Sequence, residues 1–90
     1  MPLQSVSEFE AVLGQVVIKI DKRLYERGED PKLKDAKRGL EDIVAVARDT
    51  PRLKAMRPRL AEISEIIRVE LDEASLDDVW DALDFIDFGL

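Results

Sequence analysis

The apolar residues of this chain recur with the period of an α-helix over nearly its whole length, and no stretch alternates with period two for long enough to make a strand. Residues three and four apart share one face of a helix, so each such run needs a neighbouring surface to cover it. Val6, Phe9, Val12, Leu13, Val16, Val17, Ile20 and Leu24 fall within an arc of about 140° at 100° per residue, the core face of a first helix from about Ser7 to Arg27. Ser5 and Ser7 are each followed three residues on by a glutamate, Glu8 and Glu10, the spacing of a capping box. Gly28 stands where a left-handed residue ends a helix.

A second helix opens at Asp30-Pro31, a capping acid and a proline that needs no partner for its missing N–H. It buries Leu33, Ala36, Leu40, Ile43, Val44 and Ala47 and ends near Asp49. The third opens in the same way at Thr50-Pro51 and carries Leu53, Met56, Leu60, Ile63, Ile67 and Leu71 to about Asp72. Pro58 interrupts this stretch, but the apolar spacing runs on in register, which predicts one helix kinked near Arg57. A fourth begins after Ser75, is capped with help from Asp78, and reaches about Asp87 with Leu76, Val79, Trp80, Leu83 and Ile86 inward. The expected fold is all-α: one domain over residues 1–90, a compact antiparallel bundle of three long helices plus a shorter C-terminal fourth. Segments two and three also match at a 20-residue offset, Pro31-Lys32-Leu33-Lys34 against Pro51-Arg52-Leu53-Lys54, a likeness that a cap, a proline and an apolar stripe generate by themselves.

Charge is sorted along the chain. Residues 1–30 hold six acids and four bases, residues 31–60 four acids and nine bases, and residues 61–90 ten acids and one base, Arg68, which sums to −6. A surface with no electrostatic task mixes its signs, so this order calls for a partner within the molecule or outside it.

Composition removes several functions. The chain has neither cysteine nor histidine, so disulfides, thiolate chemistry, the common zinc sites and the usual general base are missing. Ser64 has only Glu62 and Glu65 beside it, the acidic run Asp72, Glu73, Asp77, Asp78 and Asp81 fits no calcium-loop pattern, and no glycine-rich phosphate loop occurs. The reading is non-enzymatic, with no cofactor and no metal. No run of apolar residues is long enough to span a bilayer and the first ten residues lack the features of a secretory signal, so a soluble cytoplasmic protein is expected. The acidic balance and the dispersed bases argue against nucleic acid as a partner.

One segment stands out. Residues 75–90 contain five aspartates and three of the five aromatic residues. With the core face assigned as above, Phe85 and Phe88 point away from the bundle among Asp77, Asp78, Asp81 and Asp84. An acidic helix exposing aromatics is the pattern of a surface that docks a partner with a basic, apolar groove. The leading expectation is therefore a protein interaction module, an adaptor, regulator or inhibitor, with Phe85 and Phe88 as anchors and the four aspartates steering. Within the molecule, the same aspartates have a competing match in Arg52, Lys54, Arg57 and Arg59. A second reading is self-assembly, through the thin outer stripe of Ala11, Ile18 and Tyr25 beside Gly14, or through the basic middle of one chain against the acidic end of another. A third is a nucleic-acid-binding domain whose acidic tail shields its basic helices.

Overall fold

The computed structural model describes residues 2–90. Five α-helices follow one another: α1 Val6–Arg27, α2 Pro31–Ala45, α3 Thr50–Ala55, α4 Arg57–Glu70 and α5 Glu73–Asp84, and the chain closes with a π-helical turn, Phe85–Gly89. The described residues contain no strand.

The caps explain most boundaries. The Ser5 hydroxyl accepts the Glu8 N–H at 3.2 Å, and the Asp30 carboxylate accepts from Lys32 and Leu33 at 3.0 and 3.3 Å. Asp49, not Thr50, caps α3, with its carboxylate 3.4 Å from the Arg52 N–H. Pro31 is thus the first residue of its helix and Pro51 the second, so the 20-residue likeness does not extend to equivalent structure. Gly28 closes α1 at φ 84°, a conformation that other residues rarely adopt, and donates to the Leu24 carbonyl at 2.8 Å.

The expected third helix is two helices. Pro58 has no N–H to offer the Lys54 carbonyl and its ring crowds that turn. The chain accordingly leaves the helix at Met56, whose N–H bonds Arg52 and Leu53 carbonyls, and starts again at Arg57. The fourth expected helix starts earlier than Ser75. Asp72 caps it by accepting the Ser75 N–H at 2.7 Å, and Ser75 itself lies buried in the first turn.

Packing follows a ring in which α1 lies against α2 and α5, and α4 lies against the same two. Cross-links show α1 to run antiparallel to both α2 and α5. Between α1 and α2, Glu10 meets Arg48 at 2.9 Å while Asp21 meets Lys37 at 2.8 Å. Between α1 and α5, Phe9 meets Phe85 while Lys19 approaches Asp72 at 3.8 Å. The short α3 sits at one end, against α4 and the π turn. Inside the ring lie Phe9, Leu13, Val16, Ile20, Leu33, Leu40, Ile43, Leu53, Leu60, Ile63, Ile67 and Val79, all fully buried. The result is a compact, all-helical globule with a radius of gyration of 12.2 Å.

Gly39 brings α2 and α4 together. A Cβ there would stand 2.6 Å from Ile63 Cδ1 and 2.9 Å from Arg59 Nε, so the two helices meet closer than a larger residue would permit.

Candidate functional site

The inward face of α5 differs from the one its sequence pattern suggests. Ser75, Leu76, Val79, Ala82, Phe85 and Ile86 are buried, whereas Trp80 is 51% exposed and Leu83 only partly covered. At 100° per residue, the buried set is rotated by roughly 65° about the helix axis from the expected one. That rotation exchanges two aromatics. Phe85, expected in solvent, is 4% exposed and packs on Phe9, with ring centroids 5.4 Å apart and planes tilted by 32°. Trp80, expected in the core, takes its place outside.

Two causes produce the rotation. Ser75 and Ala82, two turns apart, give the flank of α5 a low profile, and Phe9 of α1 leaves room for one ring at its end. The backbone then widens into the π turn from Phe85, and Gly89 lies over the Phe85 ring, where a Cβ would approach Cδ1 to 2.7 Å.

The exposed face of α5 retains the rest of the expected surface. Phe88 is 85% exposed, Asp77 and Asp84 are exposed, and Asp78 and Asp81 are half-buried. Trp80, Asp84 and Phe88 follow one another at four-residue intervals, Trp80 and Asp84 on α5 and Phe88 on the π turn, so an exposed carboxylate lies between the two aromatics along the chain. Beneath Phe88, a groove of about 280 Å³ is lined by Pro2, Leu3, Asp84, Phe85, Phe88 and Gly89.

The electrostatics of this face are partly compensated from within, with Lys19 near Asp72 and Asp78 and Arg57 near Asp84 and Asp87. Of the four basic residues expected opposite it, Arg57 makes a direct ion pair with the acidic end, gripping Asp87 through Nε and Nη2 at 3.1 and 3.0 Å. Its guanidinium holds the Asp87 carboxyl below the ordinary carboxylate range. Arg59 turns instead to α2, bonding the carboxylate and carbonyl of Asp35 at 2.9 and 3.2 Å, and Arg52 folds back on Asp49 at 3.4 Å. Lys37 and Arg48 serve Asp21 and Glu10. The basic middle is therefore spent chiefly on α1, α2 and its own caps. Partial burial pushes the Asp78 carboxyl upward, against the opposing pull of Lys19.

The outer stripe of α1 is open as expected: Ala11 is exposed, Ile18 is 68% exposed and Tyr25 92%. Ser64 is a helix residue, donating its hydroxyl to the Ala61 carbonyl at 2.6 Å. Among the described residues no three acidic side chains converge closely enough to hold a metal ion, and no helix is long and apolar enough to cross a membrane. The acidic end is no appended tail, because α5 and its π turn supply five apolar core residues, Leu76, Val79, Ala82, Phe85 and Ile86.

No protein-family model matches this chain, and no curated protein or solved structure matches it significantly. What it does must be argued from the surfaces just described.

Proposed function

We propose that this chain is a non-enzymatic interaction module, an adaptor, regulator or inhibitor, built on an antiparallel helical bundle and docking a protein partner through the acidic aromatic face of α5. One observation carries the reading: Trp80 on α5 and Phe88 on the turn that follows it stand in solvent, with the exposed carboxylates of Asp77 and Asp84 on the same segment. Aromatic rings that are costly to leave in water become anchors when a partner covers them, and the aspartates around them favour a basic rim. The anchor pair is Trp80 and Phe88. Phe85 supports them from below as part of the core, and Asp77, Asp78, Asp81 and Asp84 steer the encounter.

The test begins with capture from the native host, comparing the intact chain with Trp80→Ala and Phe88→Ala. With the captured partner purified, each substitution is expected to weaken binding about tenfold or more. Raising salt, or replacing Asp77 and Asp84 by asparagine, is expected to slow association while leaving dissociation almost unchanged. Equal affinity for the parent and both aromatic variants would exclude this face.

A further inference from the structure

We infer that the outer face of α1 is the seat of a two-fold dimer of this chain, with Ile18 of each copy packed over Gly14 of the other. The observations that carry it lie on a different face from the α5 surface, and the inference stands whether or not that surface binds a partner.

Gly14 sits in the middle of a 22-residue helix with ordinary helical geometry, where glycine weakens the helix relative to alanine. Nothing inside the molecule requires it, since a Cβ there would meet no atom within 4 Å. Gly39 and Gly89, by contrast, are each pressed by a neighbouring side chain. Gly14 therefore makes room on the outside. It lines a groove of about 370 Å³ between α1 and α2, together with Val17, Glu41, Val44 and Ala45, and Ile18 projects beside it.

The occupant follows from the spacing of these residues. Ala11, Ile18 and Tyr25 recur every seven residues, as do Ser7, Gly14 and Asp21, the two interleaved rows of a helix-pairing seam. If a second α1 runs antiparallel across this seam about an axis level with Val16, Ile18 falls opposite Gly14 of the second copy and Tyr25 opposite its Ser7. The large residue of one helix then meets the missing side chain of the other, twice by symmetry. The same axis brings Val17 against its own copy on the groove side, Gln15 against its own copy on the other, and Glu8 near Lys22 of the second copy. Lys22 and Glu8 are both exposed, and among the described residues Lys22 has a 4.0 Å contact with Glu26 to give up. Shape, and the Glu8–Lys22 pair on one flank, are thus self-complementary in one register, as an isologous interface demands; on the other flank Asp21 of one copy comes beside Glu10 of the second, each carrying its own base, Lys37 and Arg48.

Sedimentation of the full chain from about 10 µM to 1 mM tests this. A concentration-dependent dimer is expected, weakened at least tenfold by Ile18→Asp and by Gly14→Gln. Gly14→Ala is expected to raise the melting temperature of the monomer while weakening the dimer several-fold, a pairing that simple damage to the fold would not give. Glu8→Lys is expected to weaken association, and the double exchange Glu8→Lys with Lys22→Glu to restore it. Because the chain has no cysteine, Gln15→Cys reports the axis directly: oxidation is expected to yield a disulfide-linked dimer, and Glu62→Cys on α4 is not. A chain that stays monomeric at 1 mM, a dimer indifferent to Ile18→Asp and Gly14→Gln, or a charge exchange without rescue would each overturn the assignment.

Discussion

Phe9 and Phe85, from opposite ends of the chain, close the bundle by packing ring on ring, with centroids 5.4 Å apart. Both are buried, and α5 turns inward to make this contact at the expense of Trp80. The three aromatics near the C-terminus therefore divide their work: Phe85 holds the fold, and Trp80 and Phe88 remain at the surface.

Phe85→Ala should reduce the free energy of unfolding by about 3–5 kcal/mol, the range for truncating a large buried ring. Phe88→Ala, at a position in solvent, should change it by less than about 0.5 kcal/mol. Urea denaturation of the two variants checks the pair. Similar losses in both would mean that the C-terminal turn is not arranged as described.

Stability should decline below about pH 4, where carboxylates with ordinary values begin to protonate. Asp87 beside Arg57, Asp35 beside Arg59, and Asp72, which accepts the Ser75 N–H, are held below their ordinary values in the folded chain. A carboxyl that is more acidic when folded stabilises the fold above its unfolded value. That contribution disappears as the pH falls toward the folded one. Glu70, raised by its hydrogen bond with Asp30, and Asp78, raised by burial, act in the opposite sense and favour the fold as they protonate. Glu29 beside Lys34 is lowered as well, and so is Asp30, where desolvation is outweighed by hydrogen bonds with Glu70, Leu33 and Lys32; five groups thus oppose two, so a net loss toward pH 2 is expected, and Arg57→Met should make it shallower. Urea midpoints recorded from pH 2 to 7 measure both, and parallel curves for parent and variant would show that the Arg57 contact contributes nothing in solution.

Gly39→Leu should destabilise the fold by about 1–3 kcal/mol, because the added side chain must displace Ile63 from the core and Arg59 from Asp35. The melting temperature of this variant should fall clearly below that of the parent. A value equal to the parent's would contradict the close approach of α2 and α4.

What the sequence made legible was local. Ser5, Asp30 and Gly28 bound their helices through contacts with residues two to four away, and the stripes of α1 and α2 are wide enough to have one inward side. The face of α5 is a different problem. Trp80 and Phe85 are both hydrophobic, and choosing between them depends on the small profiles of Ser75 and Ala82 and on the space beside Phe9, none of which periodicity records. Pro58 poses a similar limit, since Met56 and Leu60 keep their four-residue spacing whether the helix bends or breaks. Gly39 did leave a signal: a glycine three residues after Ala36, inside the buried stripe of α2, marks a place where side chains of a neighbouring helix, here Ile63 and Arg59, press close.

The ring order of the helices also bears on how fast the chain folds. Each hairpin, α1 with α2 and α4 with α5, joins neighbours in sequence and can form with little loss of loop freedom, whereas the seam between α1 and α5 must bring together the two ends. That seam should therefore assemble late, after the rate-limiting barrier. Phe9→Leu should then leave the refolding arm of a chevron plot almost unmoved and accelerate the unfolding arm, so that one contact at the closing seam governs the lifetime of the native state rather than its rate of formation.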